Sequence, residues 1–278
     1  MTANPLGLIA GGGHLPLQLA RDLKAQNRDF VILAIEGAAD TSLNDYNCTW
    51  IGVGVLKKAA TLLREANCQE IFFLGGLTHP NFEAVTPDEG GLWVLEEWLK
   101  SGASGDDAVL RLLLRYFEEQ GFTIADPLTL LKPLLAGAGV QGAHHPDEAQ
   151  MQDATIAMAA ALAIGDLDIG QAVVVCRKRI IAVEGAEGTD GLLQRLAQLP
   201  QQARGTKTQA AGVLAKATKP NQDLRIDLPT IGVQTLQGVA SAHLTTIAYQ
   251  AGYTLCDNLA EMISEADKAG LILLGIET

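Results

Sequence analysis

Residues 216–232 read K-A-T-K-P-N-Q-D-L-R-I-D-L-P-T-I-G and set Lys216, Lys219 and Arg225 among Asp223 and Asp227. Pro220 and Pro229 bar a continuous helix, because each lacks an N–H and restricts the residue before it. A loop with so many charges on a restricted backbone can hold them in fixed mutual geometry. Asp223 and Asp227 could share a divalent cation, and the three cations could clamp phosphate oxygens. The same charges also suit a solvated turn whose side chains pair with one another. Spacing alone leaves both readings open.

Two more stretches carry chemistry-bearing patterns. Residues 6–10 form a short apolar run that ends in Gly11-Gly12-Gly13-His14, after which Leu15, Leu19 and Leu23 repeat at helical spacing with Pro16 in the first turn. Strand, glycine loop and helix together expose N–H groups at a helix N-terminus, an anion site. Glu36 closes the next strand, 30–35, about where a dinucleotide fold keeps its ribose-binding carboxylate. The fingerprint is partial, since Pro16 stands where the third glycine or alanine belongs, and a tight turn without ligand is the alternative. Gly75-Gly76 repeats the glycine turn after the strand ending at 74, and His79 beyond it reads as a solvated loop residue. In the second half, Glu187-Gly188-Thr189-Asp190 lies between a strand and the helical run 192–196. Thr189 or Asp190 is expected to cap that helix, a geometry that also presents N–H groups and carboxylates to a ligand. Asp106-Asp107 opens another helical run and reads as a cap in preference to a metal site.

The elements that must position these residues alternate between strand and helix. Strands at 6–10, 30–35, 49–53 and 70–75, with helices between them, predict an α/β fold: a Rossmann-like parallel sheet over residues 1–130. A helix at 109–120 and a strand at 122–125 close it. Residues 131–149, rich in glycine and proline, read as a linker. His144-His145 there is linker decoration, because neighbouring side chains face apart. Residues 150–278 predict a second, distinct α/β domain. It contains a hairpin around Arg177-Lys178-Arg179, three cations that favour a solvated turn over a phosphate contact.

Composition narrows the function classes. At 278 residues the chain can bury a large core without staples, and 48% hydrophobic with 19% charged residues describes a globular protein. A net charge of −12 argues against a general nucleic-acid binder, which needs a basic surface. The four cysteines are far apart and read as buried small hydrophobes in a reducing compartment. No signal peptide is expected, and the longest apolar helical run, 154–165, is too short to span a bilayer, so a cytoplasmic location is expected.

The segment 216–232 closely resembles the signature of the metal-dependent UDP-2,3-diacylglucosamine pyrophosphatases of lipid A biosynthesis, the type unrelated to calcineurin-like phosphoesterases. The glycine motif at 9–16, the G-D-D at 105–107 and the E-G-T-D at 187–190 extend the resemblance over nearly the whole chain. It implies hydrolysis of the nucleotide-sugar pyrophosphate to UMP and a diacylglucosamine 1-phosphate, in a site between two domains. It further implies Mg²⁺ (or Mn²⁺) on Asp227 and Asp223, with Lys216, Lys219 and Arg225 as the cationic clamp. Gly11, Gly12, Gly13, His14, Glu36, Gly75, Gly76, Glu187, Gly188, Thr189, Asp190 and Thr230 are the expected substrate contacts. A homodimer with peripheral contact at the inner membrane is the implied setting. A different nucleotide-sugar hydrolase, a dehydrogenase and a non-catalytic nucleotide-sugar sensor are the rival readings.

Overall fold

The computed structural model describes residues 4–77, 86–102, 106–219, 223–225 and 228–278. Two compact units make up the chain: Met1–Leu130 with Asp223–Ile226, and Leu131–Gln222 with Asp227–Thr278.

The first unit runs β1 (Leu6–Ala10), α1 (Leu15–Ala25), β2 (Phe30–Ile35), β3 (Cys48–Ile51), α2 (Leu56–Glu65), β4 (Glu70–Leu74), α3 (Glu89–Ser101), α4 (Asp106–Glu119) and β5 (Thr123–Ile124), with a short α5 (Pro127–Leu130) after it. Its five strands lie in the order β3-β2-β1-β4-β5, all parallel. This is a doubly wound sheet, as the alternation of strand and helix predicts. β1 is buried along its whole length because helices cover both faces of the sheet. Leu15, Leu19 and Leu23 of α1 bury the apolar stripe read from the sequence, each side chain contributing roughly 1.5–3 kcal/mol. On α4, Leu114 and Phe117 are 2% and 0% exposed, and Phe117 meets Phe73 and Phe122 edge-on.

The second unit contains β6 (Gly139–Gln141), α6 (Glu148–Asp166), β7 (Ala172–Cys176), β8 (Arg179–Val183), α7 (Gly188–Leu196), β9 (Val213–Lys216), β10 (Thr230–Ile231), α8 (Val233–Ser241), β11 (Thr246–Gln250), β12 (Leu255–Cys256), α9 (Leu259–Ala269) and β13 (Ile272–Ile276). Its main sheet has the order β6-β13-β11-β9-β7-β8. The three strands β13, β11 and β9 are parallel, flanked by antiparallel strands on either side. β10 and β12 form a separate short parallel pair. Within the stretch read as a linker, β6 is an edge strand of this sheet, and His144 Nε2 bonds the Asp267 carbonyl at 3.0 Å. α6 then opens with a reciprocal capping box between Asp147 and Gln150.

The β7–β8 hairpin turns on Arg177 and Lys178, whose φ values of 54° and 64° are the left-handed pair that a two-residue turn requires. Neither residue type favours that region. Asp153 of α6, 7% exposed, compensates: its carboxylate accepts the Arg177 N–H at 2.8 Å and the Lys178 N–H at 2.6 Å. Asp153→Ala is expected to cost about 3–6 kcal/mol, the scale of two hydrogen bonds to a charged acceptor at roughly 1.5–3 kcal/mol each. A urea midpoint equal to that of the parent protein would contradict this.

Candidate active site

The glycine turns meet at the carboxyl ends of β1 and β4, the two strands between which the sheet order reverses. Ligands bind at such a switch point in open α/β sheets. The Gly11 N–H donates to the Leu74 carbonyl at 2.8 Å, and Gly12 and Gly76 exchange N–H···O bonds at 2.7 and 3.1 Å. The N–H groups of Gly11 and Gly12 are thus engaged by the backbone of the β4 turn. A Cβ on Gly11 would stand 2.7 Å from the Gly75 carbonyl oxygen, and one on Gly75 would stand 2.6 Å from that of Gly12. These glycines let two loops interlock. Gly13, at φ +93° with open space around it, turns the chain into α1. His14 is the N-cap and makes no side-chain cap, so the N–H groups that could meet a phosphate are those at the start of α1. Glu36 is exposed beyond β2, and its N–H bonds the Ile51 carbonyl at 2.9 Å.

The first unit also holds part of the charged segment. Asp223 is chelated by Arg225. Asp223 Oδ1 accepts from the Arg225 backbone N–H at 3.0 Å and from Nε at 2.8 Å, while Oδ2 accepts from Nε at 3.1 Å and Nη2 at 2.6 Å. Arg225 Nη1 donates to Glu118 Oε1 of α4 at 2.6 Å. Arg225 holds the Asp223 carboxyl below the usual carboxylate range. A depressed folded-state value means the bridge stabilises above the unfolded value near 3.8 and is lost as pH falls through the lower folded one. The stability gap between the parent and Asp223→Asn should therefore be constant above pH 3.8 and shrink below it. A gap that persists unchanged into strong acid would show that the bridge is not its source.

In the second unit Lys216 ends β9 at 7% exposure, and its Nζ donates to the Thr230 carbonyl at 2.9 Å. The Thr230 hydroxyl donates to the Leu228 carbonyl at 3.2 Å. Lys219 donates to Asp168 at 2.7 Å. The E-G-T-D stretch begins α7, but not as the sequence suggested. Helix α7 starts at Gly188 with Glu187 as N-cap and no side-chain cap, so Thr189 and Asp190 lie inside the first turn. Their side chains are held elsewhere. Thr189 donates to Glu184 at 2.9 Å, and Asp190 accepts from Gln234 at 2.8 Å. Glu187 pairs with Arg195 at 2.6 Å, and its carboxyl is lowered first by its own backbone N–H and then by Arg195. Ile169, Val183, Glu184, Glu187 and Arg195 line a shallow cleft beside this turn.

Glu184 was not singled out by the sequence reading. It is 5% exposed and ties Thr189 to the Gln171 N–H, which its other oxygen accepts at 2.9 Å. The repeated E-G at 184–185 and 187–188 was the available signal. Glu118 was missed as well, because nothing in a helical glutamate marks its partner.

Asp227 and His79 lie outside the described residues, as do the side chains of Asp106 and Asp107. Among the described residues no group of three or more His, Cys, Asp or Glu is placed to hold a metal ion. In this arrangement Asp223 is turned toward Arg225, three of whose N–H groups occupy acceptor positions on both its oxygens. Lys216 meets Thr230 in the second unit, which also holds Lys219, and the glycine turns, Glu36, Asp223 and Arg225 belong to the first.

Fold and site define a two-domain α/β protein whose N-terminal domain is doubly wound with a glycine-built crevice at its switch point. Comparison with known proteins makes the assignment specific. The LpxI N-terminal domain matches residues 5–134 and the LpxI C-terminal domain matches residues 137–274, so the chain belongs to the LpxI family. It is 41% identical over 272 residues to UDP-2,3-diacylglucosamine pyrophosphatase LpxI of Caulobacter vibrioides, covering 98% of this chain and 97% of that protein. The resemblance read from residues 216–232 is confirmed.

Proposed function

We propose that this chain is a hydrolase that cleaves the pyrophosphate of UDP-2,3-diacylglucosamine into UMP and 2,3-diacylglucosamine 1-phosphate. The observation that carries the proposal is the 41% identity to the pyrophosphatase of that name, spread over 98% of the chain and both domains. In the reaction one water oxygen bonds to the sugar-side phosphorus. The bond from that phosphorus to the bridging oxygen breaks, UMP leaves with the bridging oxygen, and the protons of water pass to solvent. A pyrophosphate diester resists attack because its charge repels nucleophiles, so catalysis is mainly positioning and charge stabilisation.

The residues divide this work by type. The glycine turns and Glu36 receive the nucleotide at the switch point of the first domain. Lys216, Lys219 and Arg225 stabilise charge on the phosphates, and Thr189, Asp190 and Thr230 contact the sugar. Mg²⁺ (or Mn²⁺) is proposed to bind the substrate's phosphate oxygens with Asp227 as its carboxylate, where it would neutralise charge. A homodimer in the cytoplasm, touching the inner membrane where a two-chain lipid resides, completes the proposal. Among the described residues no helix is long and apolar enough to cross a membrane.

The test is turnover by the purified chain with and without Mg²⁺, followed by chromatography of UMP and the lipid phosphate. Both products should appear in equal amounts with the metal. Tight binding of the substrate with no products would instead mark a nucleotide-sugar sensor.

A further inference from the structure

We propose that Asp223 and Glu118 are positioning residues that fix the Arg225 guanidinium for contact with a phosphate, an inference that rests on the function proposed above. Asp223 takes the Nε–Nη2 edge of the guanidinium in a two-pronged pairing and also accepts the Arg225 backbone N–H. Glu118 takes Nη1 from the other side. Each Nη carries a second N–H, and no described residue receives these. A guanidinium gripped at two places has little freedom left, so the remaining donors have a fixed direction and lose little entropy when an anion meets them. Glu118 follows the fully buried Phe117, and Arg111, one heptad earlier on the same face of α4, acts electrostatically on Asp223.

Two negative groups on one cation also set its strength. Arg225 is 39% exposed at its side chain, and together with Arg111 it offsets the two carboxylates until a more highly charged anion arrives. A phosphate, with two or three oxygens in reach, competes for donors that the carboxylates leave over. Asp223 then acts through Arg225 and not as a ligand of a metal.

The experiment is chemical rescue with UDP-2,3-diacylglucosamine as substrate. Arg225→Ala should lose about 10²-fold or more in kcat/KM, the scale of a lost transition-state donor. Guanidinium chloride at low, non-denaturing concentration should restore part of that loss. Restoration should fail when Asp223→Asn or Glu118→Gln is added, because the free cation then has no seat. In the Arg225→Ala background those two changes should cost nothing further, and in the parent they should leave the Mg²⁺ concentration for half-maximal rate unchanged. Equal rescue with and without the carboxylates would overturn the inference. So would a raised Mg²⁺ requirement in Asp223→Asn that persists without Arg225. Thermal midpoints confirm folding, and Glu118→Gln stands in if Asp223→Asn fails to fold. Absence of UMP from the parent protein would sink the proposed function and this inference with it. Normal turnover by Arg225→Ala would sink this inference alone.

Discussion

Replacing Asp227 with alanine is expected to lower turnover of UDP-2,3-diacylglucosamine by roughly 10²-fold or more, with stability and UDP binding nearly unchanged. The expectation starts from charge. A carboxylate beside a pyrophosphate repels it, so such a group is useful there only if it receives a cation or a proton of the attacking water. The chain downstream of it is firmly anchored. Leu228 is 6% exposed, the Pro229 carbonyl accepts the Leu255 N–H at 2.8 Å, and Thr230–Ile231 pairs with β12. Pro229 also biases Leu228 to extended backbone. An anchored backbone of this kind limits the reorganisation of the segment 228–231, which is a condition for a large catalytic effect nearby. Removing the Asp227 carboxylate takes away a charge at the reacting phosphates, so the loss should appear in kcat. Near-normal turnover by Asp227→Ala at saturating Mg²⁺ would place the chemistry elsewhere, with Glu184, Glu187 and Asp190 the next positions to change.

Gly75→Val is expected to unfold the first domain at markedly lower denaturant, through a loss of about 2–5 kcal/mol. Its φ of +100° disfavours any side chain by roughly 1–2 kcal/mol, and its added Cβ would overlap Gly12 O at 2.6 Å and Gly11 C at 2.8 Å. Those neighbours are backbone atoms in the exchange between Gly12 and Gly76, so they cannot swing aside as a side chain would. Overpacking of that kind costs a further 1–3 kcal/mol or so. All three tryptophans, Trp50, Trp93 and Trp98, lie in the first domain, so tryptophan fluorescence reports its unfolding selectively. Gly13→Ala is the control. Its φ of +93° carries the backbone cost alone, because nothing stands within 4 Å of the new carbon. Equal fluorescence midpoints for Gly75→Val and the parent would show that the interlocked turns are not needed.

The first domain was largely legible because its helices and strands have clean periods and its turns are glycine. The exception is α3, which no pattern announced. Its first turn contains Gly90 and Gly91, poor helix formers, yet a Cβ on Gly91 would come within 2.1 Å of the Gly54 carbonyl oxygen. Packing against the chain before α2 dictated glycine there, and the Asp88 side chain, accepting from both N–H groups, supplies the start signal. The two-residue strands β10 and β12 are too short for any period to show. In the site, residue types were readable and pairings were not. Alternating charges at 216–227 allowed either a metal site or mutual pairing. For Asp223 the structure shows pairing with Arg225, because a contact two residues away closes more cheaply than one across the molecule. Thr189 looked like a cap until the buried Glu184 was seen to hold its hydroxyl.

The most direct test of the account is hydrolysis of UDP-2,3-diacylglucosamine by the purified chain in ¹⁸O-water, with both products read by mass spectrometry. UMP should appear unlabelled, and the diacylglucosamine 1-phosphate should carry one ¹⁸O per turnover. Intact substrate after prolonged incubation with Mg²⁺ would contradict the assignment as a pyrophosphatase, and label in UMP would contradict attack at the sugar-side phosphorus.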